Sequence, residues 1–515
     1  MHINTIKKLI TIIFGVVLFY CALPNLIWHI PLCSWVCFVP LLMVINREKY
    51  IFLKFGWSWL FFQLSFLLIF NFTIQELPEN FNIHTNTYGI WLFFLGLPLI
   101  YSITFFLISF FQNNKFQISN SIIQTCIWGC FEILILEKTI GFPLSFAISN
   151  FQNLYFIQIA SLGGITLVSC IIFFCNSALS QLIINKVLQK KSIIKKISYS
   201  QTLCLFLIIF ILCYIWGNYK VKNLENQSTN KTKINISLIQ PNISQYDLSL
   251  ATHNNYYFKK QLNDLQTLSL EAKKTFNPDL IIWPESMLKE KIFTEEFYYP
   301  FKTLLKSLNT HLIVHSLFSE KGNPKVFSTS ILFKKDILEN INFKQKLVPI
   351  FETNDYSKGN HQNIFFNAAK NVDIGSTICF ELLFSSIIKT LSKNGASIIT
   401  CLSNTSYFGK SNWVTLYAAY TPFRAIEFRK PVILLNNQGL STVTNEIGKI
   451  LVRTPLNKPI ICNVNISESG QSSLYEKSTH FLIFLLIIML FLSFTYQDYK
   501  KGGELNKFFF KKKEA

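Results

Sequence analysis

The run Asp373-Ile374-Gly375-Ser376-Thr377-Ile378-Cys379-Phe380-Glu381-Leu382-Leu383 ends its apolar stretch at a cysteine, passes an aromatic residue and a carboxylate, and resumes with helical spacing through Ile388. This pattern reads as a buried strand handing over to a helix. A thiol at such a junction lies where backbone N–H groups and the helix dipole favour the thiolate, which makes Cys379 a candidate nucleophile. The competing reading is a small buried apolar side chain, the commoner place of a free cysteine.

Outward from Cys379, strand-like runs recur at 234–240, 279–283, 311–317, 330–333, 374–379, 397–402, 432–435 and 460–464, with helical patterns at 256–274, 296–308 and 413–428. Apolar strands punctuated by helices predict a layered α/β domain with a covered sheet, spanning 218–475. A segment of roughly 250 residues can bury a core of its own.

The rest of the chain is of another kind. Its 515 residues are 50% hydrophobic and 16% aromatic but only 15% charged, with a mean hydropathy of +0.33, a balance that soluble proteins of this length seldom have. Apolar runs lie near 5–23, 31–46, 52–73, 89–112, 121–137, 154–185, 201–217 and 478–496. Each approaches the roughly 17 to 25 residues that cross a hydrocarbon core as a helix. The expectation is a polytopic α-helical membrane protein of about eight spans, seven in 1–217 and one in 476–515 ahead of a basic tail. The net charge of +20 does not point to nucleic acid, because the lysines sit at the edges of apolar runs and not among aromatic platforms on one domain.

Those lysines also orient the chain. Lys7 and Lys8, then Arg47, Lys49 and Lys54, then Lys115, then Lys186, Lys190, Lys191, Lys195 and Lys196, and finally Lys500, Lys501, Lys507, Lys511, Lys512 and Lys513 fall in alternate connections. The intervening ones are nearly free of them: Asn25 to His29 has none, 73–87 carries only Glu76 and Glu79, and the loop after the fifth run has Lys138. By the excess of positive charge in cytoplasmic loops, both termini are expected in the cytoplasm and the α/β domain on the other side. Leu18-Phe19-Tyr20-Cys21 places bulky residues where a lipoprotein cleavage box needs small ones, so the first span is expected to stay uncleaved.

Of the 12 cysteines, only Cys379, Cys401 and Cys462 fall in the α/β domain, too few for a disulfide framework and without metal-binding spacing. A cysteine kept in an oxidising compartment without an obvious partner is a candidate for chemistry. Within the spans, Glu132 follows Trp128-Gly129-Cys130-Phe131 and precedes Gly141-Phe142-Pro143. A carboxylate at membrane depth is by default a functional hypothesis. With no second ionisable group along an evident path, structure or substrate positioning, through Lys138 or a backbone N–H, is favoured over proton chemistry.

Three positions fall at corresponding strand ends. Pro278-Asp279-Leu280-Ile281-Ile282-Trp283-Pro284-Glu285-Ser286 delivers Glu285, Phe343-Lys344-Gln345-Lys346-Leu347-Val348-Pro349 delivers two lysines, and Cys379 follows its own strand. Together they form a set: a carboxylate to take the thiol proton, a thiolate to attack an acyl carbon, and an ammonium to hold the oxyanion. An isolated glutamate or lysine at a strand end also reads as a solvated tip. No phosphate-binding glycine loop, nucleic-acid module or long repeat is evident.

The order Glu, Lys, Cys in these contexts resembles the nitrilase, or carbon–nitrogen hydrolase, superfamily. The placement of such a domain between the seventh and eighth spans resembles the apolipoprotein N-acyltransferase family, over nearly the whole chain. The motifs that carry the likeness are Trp283-Pro284-Glu285, Lys344-Gln345-Lys346-Leu347-Val348-Pro349 with Glu352 beyond it, and Cys379-Phe380-Glu381. Further matches are Ser403-Asn404 with Tyr407-Phe408-Gly409, Arg424-Ala425-Ile426-Glu427, Asn437-Gln438-Gly439, and Glu132 with Gly141-Phe142-Pro143.

The resemblance implies a nitrilase-like α-β-β-α sandwich, with Glu285 as general base, Lys344 as the oxyanion-stabilising lysine and Cys379 as nucleophile. Lys346 is the alternative lysine, although the spacing to Leu347-Val348-Pro349 and Glu352 favours Lys344. Glu352, Glu381 and Phe380 would support the site, and no metal or cofactor is implied. The chain departs from the family at Thr405, where an acidic residue is frequent, at Phe343 and Phe380, where Tyr is, and at Ser328, where Asn is.

The implied reaction is ping-pong acyl transfer from a phospholipid donor, by way of a Cys379 thioester, to a diacylated apolipoprotein at the outer face of a bacterial inner membrane. Water must be kept from the thioester by a greasy lid. Candidates are Phe293, Phe297, Tyr298, Tyr299, Tyr407, Phe408 and Trp413, with Trp283, Asn404 and Glu132 as further substrate-side residues. Core packing is the competing role for each aromatic. Two other functions stay open: a membrane-tethered amidase that uses water as acceptor, and a non-catalytic receptor or transporter.

Overall fold

Helices occupy the chain through Asn226, and strands alternating with helices take over from Lys233. The computed structural model describes residues 2–70, 87–111, 117–135, 144–188, 193–227, 232–319, 325–349, 352–353, 355–360, 364–478 and 481–501. Glu76, Glu79, Lys115, Lys138, Lys190, Lys191 and Gly141-Phe142-Pro143 lie outside the described residues, as does the basic tail beyond Lys501.

The first part comprises α1 (His2–Ala22), α2 (Val39–Arg47), α3 (Ile51–Ile69), α4 (Thr87–Ile108), α5 (Gln117–Phe131), α6 (Leu154–Ile157), α7 (Ala160–Leu188) and α8 (Ile193–Asn226). Among the described residues Asn4–Ala22, Ile51–Ile69, Ile118–Ile135, Ala160–Ile184 and Gln201–Asn226 are long and apolar enough to cross a bilayer, while Pro31–Arg47, Leu95–Ile108 and Phe481–Gln497 are shorter apolar stretches. Five of the eight expected spans are thus met at full length.

The run 31–46 is not one helix. A 3₁₀ turn at Pro31–Trp35 gives way to α2. Pro40 carries no N–H and disfavours helical backbone before it, so the ladder breaks here. The Phe38 N–H near the break is accepted by the Asn176 side chain of α7 at 2.9 Å.

A second interruption falls in α7, where Gly163 and Gly164 leave helical geometry, Gly164 at φ +73. A Cβ at Gly164 would stand 2.7 Å from the Tyr475 ring, so conformation and space both demand glycine.

The second part is a sandwich of two six-stranded sheets. Its strands are β1 (Lys233–Gln240), β2 (Leu280–Ile282), β3 (His311–Ser319), β4 (Val326–Lys334), β5 (Ile337–Phe343), β6 (Ile364–Ala369), β7 (Val372–Ile378), β8 (Ile398–Ser403), β9 (Val432–Asn436), β10 (Thr442–Thr444), β11 (Ile450–Arg453) and β12 (Ile460–Ser467). One sheet has the order β12-β1-β2-β3-β4-β5 and the other β11-β10-β9-β8-β7-β6. The central triplets β1-β2-β3 and β7-β8-β9 are parallel, and their neighbours run antiparallel.

Inner faces meet through Ile236, Leu238, Leu280 and Ile282 against Ile374, Ile398, Leu402 and Ile433. The helices of this second part are α9 (Gln245–His253), α10 (Asn255–Phe276), α11 (Glu295–Leu308), α12 (Ser385–Lys393), α13 (Asn412–Ala418) and α14 (Tyr420–Phe428). Helices α10 and α11 cover the first sheet and α12 and α14 the second, which makes an α-β-β-α sandwich. The helix predicted over 413–428 divides at Ala419 into α13 and α14.

Every residue of α14 is buried, as expected of a helix with apolar neighbours on both sides. One continuous apolar core runs from Phe66, Phe146 and Ile165 of the membrane helices and their connections through Leu416, Phe423 and Ile426 to Leu434 on β9. At about 1.5–3 kcal/mol for each fully buried large side chain, the second helical layer belongs to the membrane bundle as much as to the sandwich. Polar stitches reinforce it. The Asn412 side chain accepts the Leu26 N–H at 3.1 Å and donates to the Ile69 carbonyl at 3.2 Å, and Thr415 donates to the Pro24 carbonyl at 2.9 Å.

Candidate active site

The carboxyl ends of β2 and β7, with the segment after β5, converge at one end of the sandwich. Two residues there leave ordinary backbone space: Ser286, next to Glu285, at φ +70, and Cys379 at φ +47. Non-glycine residues held in the left-handed region cost roughly 1–3 kcal/mol each. The turn Cys379–Leu383 is 3₁₀, and a separate helix starts only at Ser385. The expected direct passage from strand to helix is therefore replaced by a tight elbow that presents the thiol.

Glu285 lies beside the Cys379 thiol, close enough for its charge to act on it, and accepts the Asn404 N–H at 2.9 Å through Oε2. Lys344 Nζ lies 3.5 Å from Glu285 Oε1 and 2.7 Å from Glu352 Oε1. Glu352 Oε2 is tied to the Val348 N–H at 2.9 Å. Glu381 faces the other way: its carboxylate accepts the N–H groups of Gln345 (2.7 Å), Lys346 (3.3 Å) and Ile378 (2.9 Å), joining the lysine segment to the elbow. Ser403 donates to Cys379 Sγ at 3.6 Å, and Tyr417 donates to the Cys379 carbonyl at 2.6 Å.

The electrostatics correct the expectation of a resting thiolate. Burial, and then the neighbouring Glu285 carboxylate, push the Cys379 thiol well above the ordinary thiol range, with Lys344 only partly opposing them. Burial likewise raises Glu285, against the pull of Lys344. Burial opposes charge on Lys344, yet Glu352 and Glu285 together hold its ammonium well above the usual lysine range. The resting set is a neutral thiol, a carboxylate able to take its proton, and a fixed cation. Thiol reactivity should accordingly rise with pH through the ionisation of Glu285, with a midpoint above the ordinary glutamate range. Alkylation of Cys379 by a neutral reagent checks this, since Glu285→Gln should lose the acidic limb; identical profiles in both proteins would exclude Glu285 as the base.

The other named side chains divide. Phe408 and Trp413 stack at 4.6 Å and 21°, and Trp413 meets Phe70 of the membrane part at 6.1 Å, so this pair bridges the two parts of the chain. Tyr407, with Glu285 and Cys379 among the groups acting on it, has its phenol raised by burial. Phe380 packs edge-on against Phe384 at 5.0 Å, and Lys346 Nζ rests 5.2 Å above the Phe384 ring, away from the triad. Phe293, Tyr298 and Tyr299 are partly or largely exposed.

Trp283 and Phe297 do not reach the site. Trp283 is fully buried among the helices of the first sheet, with its Nε1–H donated to Ser269 at 2.9 Å, and Phe297 packs on Phe258 at 4.8 Å. Strand alternation accounts for Trp283: it shares a face with Ile281, which points to the helices, and not with Ile282, which points between the sheets.

Glu132 is buried in a turn of π-helix after α5. It accepts Ser145 Oγ (2.9 Å), the Phe146 N–H (3.0 Å) and Ser169 Oγ (2.5 Å). A backbone N–H and two hydroxyls thus hold the carboxylate.

The departures from the family each have a neighbour. Thr405 donates to the Gln438 carbonyl, Phe343 packs edge-on against Phe318 and Phe327, and Ser328 bonds the His315 ring at 2.9 Å. Sequence reasoning missed His315, Tyr417 and the role of Arg424, which donates to the Leu382 carbonyl at 2.9 Å and also to the Leu383 carbonyl and Glu427. Glu427 in turn accepts the Ile165 N–H at 2.7 Å, just past the Gly163–Gly164 break. Among the described residues no cluster of His, Cys, Asp or Glu is arranged to hold a metal ion.

Comparison with known proteins matches residues 15–178 to the apolipoprotein N-acyltransferase N-terminal domain and residues 235–472 to the carbon–nitrogen hydrolase domain. Apolipoprotein N-acyltransferase 1 of Treponema denticola is 25% identical over an alignment of 549 residues that covers 94% of this chain and 95% of its own. The apolipoprotein N-acyltransferase of Borreliella burgdorferi is 22% identical, covering 89% of each chain. That of Rickettsia prowazekii is 25% identical, covering 70% of this chain and 73% of its own. Among solved structures, Saccharomyces cerevisiae Nit3, a member of branch 10 of the nitrilase superfamily, is similar over 46% of this chain and 90% of its own, at 19% identity and a TM-score of 0.37.

Proposed function

Because this chain belongs to the apolipoprotein N-acyltransferase family, we propose that it moves a fatty acyl chain from a phospholipid, through a thioester on Cys379, to the α-amino group of the diacylglyceryl-cysteine that begins a lipoprotein. Glu285 takes the thiol proton as Sγ attacks the ester carbon, and the developing oxyanion meets the Lys344 ammonium. The ester C–O bond breaks, Glu285 returns the proton to the departing lysophospholipid oxygen, and the thioester remains. The acceptor amine then attacks, loses a proton to Glu285, and the C–S bond breaks with return of the proton to sulfur.

The observation that carries this reading over a water-using amidase is the position of the elbow. Leu382, Leu383 and Phe384, directly after the nucleophile, belong to the same apolar core as the membrane helices. A thiol mounted there is served by acyl chains from a bilayer and shielded from water. The Phe408–Trp413 stack beside Phe70 supplies the greasy wall of the acyl path. The alternation of lysine-rich and lysine-free connections supports an inner membrane placement with 218–475 in the periplasm as the catalytic domain, between 1–217 and 476–515 as the membrane-embedded parts.

Mass spectrometry of the membrane-purified protein after incubation with phospholipid tests the reaction. A fatty-acyl mass on the Cys379 peptide, released by neutral hydroxylamine and cleared by a diacylated lipopeptide that gains the acyl group on its amine, is the expected result. An adduct that decays to free fatty acid at the same rate with or without lipopeptide would instead identify a hydrolase.

A further inference from the structure

His315, on β3, stands behind the base and not in the reaction path, and it is 4% exposed. Its ring makes two bonds that fix its tautomer. Nδ1 accepts the Ser286 N–H at 3.1 Å, so the ring proton of the neutral imidazole sits on Nε2, which donates to Ser328 Oγ at 2.9 Å. The His315 carbonyl also accepts the Leu288 N–H at 3.3 Å. The loop that carries Glu285 is thereby held at two points by one residue. Ser328 continues the chain, because its carbonyl accepts the Lys344 N–H at 2.9 Å. An unbroken path therefore runs from Ser286, through the imidazole and Ser328, to the backbone of the lysine that faces Glu285.

We propose that His315 is a positioning residue that, with Ser328, sets the separation of Glu285 from Lys344 by holding the left-handed Ser286 on one side and the Lys344 segment on the other. The physical case has three parts. Ser286 at φ +70 keeps its conformation only while its surroundings over-determine it, and the imidazole nitrogen is the acceptor of its N–H. The ring must be neutral for this, since an imidazolium has no acceptor; burial, with Lys344 and Lys289 as the cations facing it, keeps it so. Ser328 is one of the departures from the family, and its hydroxyl is the size that leaves room for a ring on the neighbouring strand to reach it. The partner for that departure is thus found in the same strand pair, where Leu317 lies opposite Ser328 and His315 opposite Ser330.

The inference rests on Glu285 as the general base. Single-turnover acylation from phospholipid, followed as a function of donor concentration, tests it with His315→Leu, His315→Asn, Ser328→Ala and, as reference, Glu285→Gln. Misplacing a catalytic group by about 1 Å costs about 100-fold in rate, so His315→Leu should lower the limiting acylation rate by about that factor with the half-saturating donor concentration unchanged. His315→Asn keeps an acceptor near the position of Nδ1 and should recover most of the rate, and Ser328→Ala should fall between. A His315→Leu or Ser328→Ala protein that acylates at the wild-type rate would overturn the proposal, as would an Asn variant no faster than Leu. Should His315→Leu fail to fold, the Asn and Ser328→Ala rates still decide. A Glu285→Gln protein of normal rate would remove the base assignment itself, and the positioning role with it.

Discussion

Cys379→Ala is expected to form no acyl-enzyme and to lose lipopeptide acylation by at least about 10³-fold, a barrier increase of about 4 kcal/mol. The thiol is the nucleophile the geometry offers: it stands beside Glu285 and Lys344, and its neighbour Ser403 is turned to donate toward the sulfur. Cys379→Ser should recover little, because Glu285 must then deprotonate an alcohol far less acidic than a thiol. The backbone provides a control for folding. At φ +47 a glycine is unstrained whereas alanine keeps a Cβ in the left-handed region, so Cys379→Gly should be equally inactive yet melt no lower than Cys379→Ala. Hydroxylamine-releasable acyl mass and detergent-solution melting are the two readouts. Acylation persisting at another residue in the alanine variant would end the assignment of Cys379.

Lys344→Met should be the most damaging change to the site's electrostatics. The ammonium is fully buried and lies between two carboxylates, at 3.5 Å from Glu285 and 2.7 Å from Glu352. Removing it leaves the buried Glu285 facing the half-buried Glu352 with no cation between them, and breaking a buried pair costs about 3–5 kcal/mol. Acylation should fall by about 10³-fold or more with the oxyanion donor gone. The pH response distinguishes this cause from a packing defect. Glu285 is already raised by burial and loses its largest opposing cation, so its folded-state value rises further above the unfolded one. Stability contributed by a group so raised is present in acid and is lost as pH climbs through the folded value, so the variant should melt higher at about pH 5.5 than at about pH 7.5. Equal melting temperatures in wild type and variant at both pH values would refute the buried-pair account. Lys344→Arg should not rescue activity, because a planar fork does not fit a site shaped around one point charge.

How far the sequence could be read depended on where each residue sits in the sheets. The strands at 234–240, 280–282, 311–319 and 398–403 are buried on both faces and stand out as apolar runs. Strands β5, β6 and β11 lie at or next to solvent as sheet edges, and β5 carries Asn and Glu among its apolar residues; their pairing, not their composition, makes them strands. β10 is three residues long and too brief to carry a period. The Glu285, Lys344 and Cys379 contexts were legible because each follows a strand and matches a family motif. His315 was hidden for the opposite reason: one histidine inside Leu312-Ile313-Val314 and its flank reads as a core residue, and only the register of β3 on β4 brings it near Ser328. Trp283 was misread for want of parity, since its strand neighbours already placed it on the helix side.

The arginine clamp on the elbow joins stretches of chain that leave the ribosome at different times. Ile165 emerges first, then Leu382 and Leu383, then Arg424 and Glu427, yet the four parts close on one another. The Ile165 N–H is available to Glu427 because α7 breaks at Gly163 and Gly164, so a helix of the first part supplies what the sandwich lacks. The nucleophile turn is therefore complete only when all of these stretches are present. A sandwich severed from those helices would keep its base and its lysine but would leave Glu427 without that donor, and with it the counter-anchor of the arginine. Acyl-transfer competence is in this sense a property of the assembled chain and not of the sandwich alone.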